Sequence, residues 1–373
     1  MPDDLPRIPK KRGPRNKPRN DAWLQQQLAA YRPLYTFRCA LPIVSILSFM
    51  CIAISIAFYK SSMTAHEVTV DYTSCDRTND SHSWHFYDDT NLYCKIRVAL
   101  PDIPGDVRFF YGLHGFFQNV RKYQQSRNDR QLAGELHETE RCYPFTHDES
   151  GLPIVPCGAV ANSMFNDTFR LFYNGADGAR EMEVPWSTDK LLHTAFRAEK
   201  YKNPQKCTDQ DDVCGPGVNC TKRCPGFERT AKPPWWSKSI AELGDVETGW
   251  ALENFDFIQW METAALPDFR KVYRHLDQKA GSAFANGLPA GKYTLLITYN
   301  YPVHDYGARK LFVIQQDGLL GPKAHFQMCA YFTVGLFLLL FSVFMAVVEF
   351  APGCTLRVRR VVAYFQPPEI SGL

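Results

Sequence analysis

The sequence predicts a membrane protein with two transmembrane helices and a large α+β, mainly antiparallel β, disulfide-bonded exoplasmic domain between them. Three observations predict it: two uncharged apolar runs of membrane-crossing length, a basic bias at both ends of the chain, and eight cysteines with three Asn-x-Ser/Thr sequons confined to the stretch between the runs.

Residues 39–59 (CALPIVSILSFMCIAISIAFY) and 326–348 (FQMCAYFTVGLFLLLFSVFMAVV) contain no charged side chain. Each meets the roughly 20 residues that a helix needs to cross a hydrocarbon core about 30 Å thick. Each is also apolar all round, which requires lipid or a very large protein around it. The first run is too long for a cleavable secretory signal and 38 residues precede it, so it reads as an uncleaved anchor. Residues 1–38 carry Arg7, Lys10, Lys11, Arg12, Arg15, Lys17, Arg19, Arg32 and Arg38 against Asp3, Asp4 and Asp21, and residues 349–373 carry Arg357, Arg359 and Arg360. The positive-inside bias therefore predicts cytosolic tails at 1–38 and 349–373, with residues 60–325 carried to the exoplasmic or lumenal side. The basic KKRGPR at 10–15 reads as a solvated, topology-setting tail, with a nuclear signal or an anionic-lipid contact as the other readings. Beyond it, Asp21 is placed to cap a short helix that would gather Trp23, Leu24, Leu28 and Tyr31 near one face.

The eight cysteines of the middle stretch are Cys75, Cys94, Cys142, Cys157, Cys207, Cys214, Cys220 and Cys224. An even number in an oxidising compartment reads as a disulfide framework, whose pairing the spacing leaves open. The last four are spaced C-x6-C-x5-C-x3-C, without the paired C-x2-C knuckles of a zinc site, so no metal is expected. Cys39, Cys51, Cys329 and Cys354 fall in or beside the spans and read as free thiols. Asn79, Asn166 and Asn219 head the sequons and are candidate glycosylation sites.

Alternation and β-branching predict strands at 66–73, 92–100 and 107–111. In 291–301, Tyr293, Leu295, Ile297 and Tyr299 share one face, and 309–315 is expected to pair with that strand. Helical spacing occurs in 255–265 and again after Pro267, where Phe269, Val272, Tyr273 and Leu276 recur. Residues 200–238, rich in Pro and Cys, read as a long stapled loop.

No reaction chemistry is legible. GLPAGKY at 287–293 is too short for a phosphate loop and ends in Tyr; HETER at 137–141 ends in Arg141 where a zinc helix needs His. DQDD at 209–212 lacks the Gly and terminal Glu of a calcium loop, and the ten His residues form no ligand pattern. A net charge of +3 over 373 residues, with no nucleic-acid-binding signature, gives no reason to expect nucleic acid. The aromatic density at Trp235, Trp236, Trp250 and 255–260 fits ordinary core packing or a surface facing membrane or partner.

Several long blocks, in order along the chain, resemble one family. They are QQQLAAYRPLYT (25–36), YGLHGFFQNVRKYQQSRNDRQL (111–132), CGAVANSMFNDTF (157–169), WMETAALPDFRKVYR (260–274) and LPAGKYTLLITYNYPVHDYGARK (288–310). Together they resemble the cell division control protein fifty, or ligand-effect modulator, family of accessory subunits of type IV P-type ATPases. The resemblance implies a noncatalytic β-subunit without cofactors. Its partner would be the catalytic subunit of a type IV P-type ATPase, in a heterodimer that moves aminophospholipids to the cytosolic leaflet. It implies a place in endoplasmic reticulum, Golgi, endosomal or plasma membrane, contact with membrane lipids, and a role in the partner's exit from the endoplasmic reticulum. It also implies the pairs Cys75–Cys94 and Cys142–Cys157 and a glycan on Asn166. The chain departs from the family pattern at the Cys207–Cys224 cluster, in lacking the extra cysteines that animal relatives have between the positions of Cys75 and Cys94, and at Leu296, where a sequon Asn often stands. Two other readings share the topology: a two-span homotrimeric ion channel with a cysteine-rich ectodomain, which the apolar second span disfavours, and a tethered ecto-enzyme, which the missing catalytic motifs disfavour.

Overall fold

A computed structural model describes Asp21, Trp23 and residues 37–75, 85–88, 91–175, 181–189, 191, 199–207, 224–280, 282–303 and 306–350. The basic run at 10–15, most of the expected helix at 21–31, Asn79, Asn219, Cys214, Cys220, Cys354 and the DQDD run lie outside the described residues. The chain divides into two compact units, residues 1–55 with 329–373 and residues 56–328.

The first unit holds most of two long helices, Phe37–Thr64 and His325–Phe350, whose residues 56–64 and 325–328 are counted with the second unit; both helices extend beyond the uncharged runs. Their 28 and 26 residues exceed what a bilayer core requires. Both are long and apolar enough to cross a membrane. Bulky side chains such as Phe49, Phe337 and Phe344 are exposed along them, which suits lipid as the surrounding solvent. The helices meet through small residues: Ser45 Oγ and Ser342 Oγ lie 2.6 Å apart, and Ser48 Oγ donates to the Gly335 carbonyl at 2.8 Å. Small residues let backbones approach, and in lipid van der Waals contact and such hydrogen bonds replace the hydrophobic effect as the source of association.

The second unit is a sandwich of two five-stranded antiparallel sheets. One sheet runs β1 (His66–Asp71), β14 (Arg309–Gln316), β5 (Val107–His114), β11 (Phe269–Leu276), β8 (Trp186–Ser187). The other runs β2 (His85–Asp88), β3 (Asn91–Leu100), β13 (Gly291–Thr298), β6 (Thr168–Asn174), β7 (Met182–Glu183). Two short ribbons pair β4 (Ile103–Pro104) with β12 (Gly287–Leu288) and β9 (Gly244–Asp245) with β10 (Gly249–Trp250). Strand alternation turns Phe109, Tyr111 and Phe312 of the first sheet toward Phe169, Leu171, Leu295 and Ile297 of the second, all buried in one core. The aromatic rings interlock there: Phe169 sits 4.8 Å from Phe312 and 5.2 Å edge-on from Tyr273. The described residues within 115–167 and 188–268 lie outside the two sheets and carry short helices, including Ala159–Asn162 and Phe255–Met261.

The structure corrects one expectation of element type and one of strand pairing. Residues Phe269–Leu276 form β11, not a helix. A register shift between Val272 and Arg274 places an extra residue opposite β5 and breaks the two-residue alternation, which leaves apolar residues at three-to-four spacing without any helix. Residues Arg309–Gln316 pair with β1 and β5 and not with β13, whose neighbours are β3 and β6. The strands are joined by ten residues, more than a hairpin turn uses, and Tyr301 and Val303 enter the core as the chain crosses from one sheet to the other.

A side chain at Gly335 would land against Ile52 and Cys51 of the other helix. Gly335→Leu is therefore expected to lower the stability of the helix pair by about 1–3 kcal/mol, read as a lower unfolding temperature in detergent, whereas Phe337→Leu on the exposed face leaves it unchanged.

Candidate functional site

The crossing between sheets is fixed by a buried charge knot. Asp167 and Lys310 both have fully buried side chains, and Lys310 Nζ lies 2.7 Å from Asp167 Oδ2. Lys310 is on β14 with its side chain turned inward; Asp167 stands just before β6 in the opposite sheet. Tyr72 Oη donates to Asp167 Oδ2 at 3.1 Å, and the backbone N–H groups of Asn300 and Tyr301 donate to Oδ1 at 2.6 and 2.7 Å. Lys310 Nζ also donates to the Tyr301 carbonyl at 2.7 Å and lies 3.2 Å from the centre of the Tyr299 ring. These side-chain bonds take the N–H groups that β13 would otherwise offer its neighbours, so the strand ends at Thr298 and not at 301. Burial pushes the Lys310 pKa down to about 8 against the pull of Asp167, and burial followed by the Asp167 charge raises Tyr72 well above its usual value.

Asp167 is the middle residue of the sequon Asn166-Asp167-Thr168. Extended backbone alternates, so with Asp167 buried both Asn166 and Thr168 are exposed. Asn166 borders a groove of about 870 Å³ whose wall includes Phe116, Phe117, Tyr123, Trp235, Tyr301 and Tyr306. Phe116 anchors it from within, edge-on to Tyr123 at 6.1 Å and to Tyr301 at 6.3 Å. The floor is tied by Tyr123 Oη to Ser163 Oγ at 2.8 Å and by Tyr301 Oη donating to the Ser163 carbonyl at 3.0 Å. At the rim Trp235 is 71% exposed, Phe117 59% and Tyr306 46%, an unusual concentration of rings left in water.

A second buried lysine closes the helix behind this groove. Lys271 Nζ donates to the carbonyls of Gln259, Trp260 and Glu262, the last turn of Phe255–Met261, which ends that helix short of 265. Burial pulls its pKa down to about 7, opposed by Glu262.

Among the described residues three disulfides stitch the domain. Cys75–Cys94 joins the segment after β1 to β3 across the two sheets, Cys142–Cys157 closes the loop below the groove, and Cys207–Cys224 spans the Pro-rich excursion. Gln131 holds the middle one in place: its Nε2 donates to the Leu136 and Ile154 carbonyls, and its Oε1 accepts from the Cys157 N–H at 2.8 Å. Cys39, Cys51 and Cys329 are unpaired. Among the described residues no three His, Cys, Asp or Glu side chains converge to hold a metal ion.

The sequence profile of the LEM3 (ligand-effect modulator 3) family / CDC50 family matches residues 58–353. The chain belongs to this family. It is similar to cell cycle control protein 50A of Bos taurus, 36% identical over 344 residues that cover 89% of each chain. Cell cycle control protein 50B of Homo sapiens is 35% identical, covering 89% of this chain and 93% of its own. The phospholipid-transporting ATPase accessory subunit CDC50 of Chaetomium thermophilum is 27% identical, covering 83% and 81%. In this CDC50-family chain, composition and motif marked the cysteines, Asn166 and the aromatic pair Trp235–Trp236, but left Asp167, Lys310 and Lys271 unmarked. The available signal lay in two charged residues, Asp167 and Lys310, set against strongly apolar strands.

Two predictions follow from the buried charges. Asp167→Ala, which preserves an Asn-x-Thr sequon, strands the Lys310 ammonium and three further donors and is expected to destabilise the domain by about 3–5 kcal/mol. Lys310→Met leaves Asp167 with its three other donors, so in thermal unfolding of the purified variants it should rank as the milder change; the reverse order would refute the knot as described. For Lys271 the folded pKa lies below the ordinary lysine value of about 10.4, so between pH 7 and 10 the unfolded chain binds more protons and stability rises with pH. The stability difference between wild type and Lys271→Met should accordingly grow from pH 7 to 9, by at most about 1.4 kcal/mol per pH unit.

Proposed function

We propose that this chain is the noncatalytic β-subunit of a phospholipid-flipping type IV P-type ATPase. In this reading residues 60–325 stand on the exoplasmic or lumenal side between spans at 39–59 and 326–348, and the tails 1–38 and 349–373 are cytosolic. The observation that carries it is the likeness over more than four-fifths of the chain to a protein named as the accessory subunit of a phospholipid-transporting ATPase. The physical content of the chain supports the same role. Two apolar helices enclose no polar path for a lipid headgroup, and the sequence offers no phosphate loop to harness a nucleotide. What remains is scaffolding: a disulfide-stitched domain, two helices with broad apolar faces for lipid or partner helices, and basic tails suited to the cytosolic leaflet. Contacts on several levels share one local concentration, so individually modest contacts add up to firm association. The subunit folds with its ATPase, accompanies it out of the endoplasmic reticulum, and supports movement of aminophospholipids to the cytosolic leaflet.

Gentle detergent extraction of the tagged chain is expected to co-purify a much larger P-type ATPase, and the chain expressed without that partner is expected to stay in the endoplasmic reticulum. Recovery of the chain as a stable homotrimer that conducts ions, with no ATPase present, would overturn the assignment.

A further inference from the structure

We infer that the groove beside Asn166 is the seat of the chain's own N-linked glycan, with the exposed Trp235 indole as the platform on which the first N-acetylglucosamine rests. The inference rests on the exoplasmic placement proposed above and adds to it a binding site for carbohydrate.

The position of Asn166 is the first ground. Asn166, Met164 and Trp235 line both the 870 Å³ groove and an adjoining cavity of about 200 Å³, so the tether point stands on the ridge between two hollows. The groove falls within the ~300–1,000 Å³ range of small-molecule sites, which are mainly apolar with a few polar groups. Asn162, Ser163 and Asn300 supply those polar groups here.

The second ground is the contrast between the paired tryptophans. Trp236 is partly buried against the core, and its Nε1 donates to the Ala161 carbonyl at 2.9 Å. Trp235 instead turns outward, its backbone N–H held by Asn162 Oδ1 at 3.0 Å while its ring is left in water. A pyranose has one face of C–H bonds and a rim of hydroxyls, so a ring fixed beside polar groups matches it as an apolar body with a wet edge.

The third ground is the rigidity of the tether. Asp167 is locked by four donors and Phe165 is stacked on Tyr111 at 4.2 Å, so the residues on both sides of Asn166 are fixed. Contacts between a single sugar and a single ring are weak in free solution. A tether of a few bonds supplies an effective concentration in the millimolar range or above, enough to populate such a contact. Preorganisation of the tether also removes most of the ordering cost.

The test uses the full-length glycosylated protein and reads two quantities separately. Site-resolved mass spectrometry gives the occupancy of Asn166; release by peptide N-glycosidase from the folded protein, which converts Asn166 to aspartate, gives the accessibility of the first sugar. Both wild type and Trp235→Ala should be occupied, with release about fivefold faster from Trp235→Ala, equivalent to about 1 kcal/mol of lost contact. Trp235→Tyr, which keeps a ring, should restore slow release and serves as the second variant should Trp235→Ala fold poorly. Equal release rates at an occupied Asn166 overturn the seat and leave the exoplasmic reading intact. An unoccupied Asn166 in wild type also overturns the seat, and protease protection of residues 60–325 in sealed vesicles then decides the exoplasmic reading by itself. Loss of ATPase co-purification in Trp235→Ala with release unchanged would make the groove a socket for a partner side chain and defeat the sugar assignment.

Discussion

The sandwich depends on one buried ion pair, Asp167 with Lys310. Removing two charges from water costs several kcal/mol for each, and Coulomb attraction alone does not reliably repay it. Here the carboxylate has four donors and the ammonium a carboxylate, a carbonyl and an aromatic face. The knot is therefore better understood as a specifier than as a source of stability. It forms only when Tyr72, the sequon loop, residues 299–301 and β14 all arrive together, and any arrangement lacking one of the four leaves a buried group unpaired. Because those four segments belong to both sheets, the knot fixes which strand follows which across the crossing from β13 to β14. Lys271 works by the same logic on a smaller scale, tying β11 to the end of the helix it packs against.

What the sequence made legible follows from the range of each interaction. The spans, the antiparallel β character of the middle domain and most strand positions depend on local composition and alternation, and those were readable. Apart from two elements that end early, at Thr298 and Met261, the failures are failures of partner and of period. Nothing local says that Arg309–Gln316 should pass over its sequence neighbour Gly291–Thr298 and join β1, some 240 residues earlier; the decision lies in the burial of Tyr301 and in donors that reach Asp167 from across the core. Phe269–Leu276 carried a helical period because its bulge, a feature of pairing with β5, had shifted the alternation.

The groove was the least legible part. Its wall draws on the turn after β5, the helix Ala159–Asn162, the sequon loop, the Trp pair and the crossing at 300–306, which are scattered over almost two hundred residues. A sequon marks Asn166 by itself, yet the meaning of its middle residue appears only when Lys310 is found beneath it. Likewise the tryptophan pair at 235–236 reads as a single apolar spot until the structure sends one ring inward and the other out.

An accessory subunit can act on a pump in two separable ways. Escorting the partner needs only binding, and uniform affinity for every state suffices. Changing the transport cycle needs a difference in affinity between states, because a ligand that binds all conformations equally shifts none of them. Reversing a 1:99 equilibrium takes roughly 5.5 kcal/mol of such difference, the work of a few well-packed contacts that form in one state and break in another. A soft domain would follow the pump and lose that difference through its own deformation. Disulfides, paired buried charges and interlocked aromatic rings are the means by which this domain resists deformation, and that resistance is what would let a passive partner discriminate among the states of a moving one.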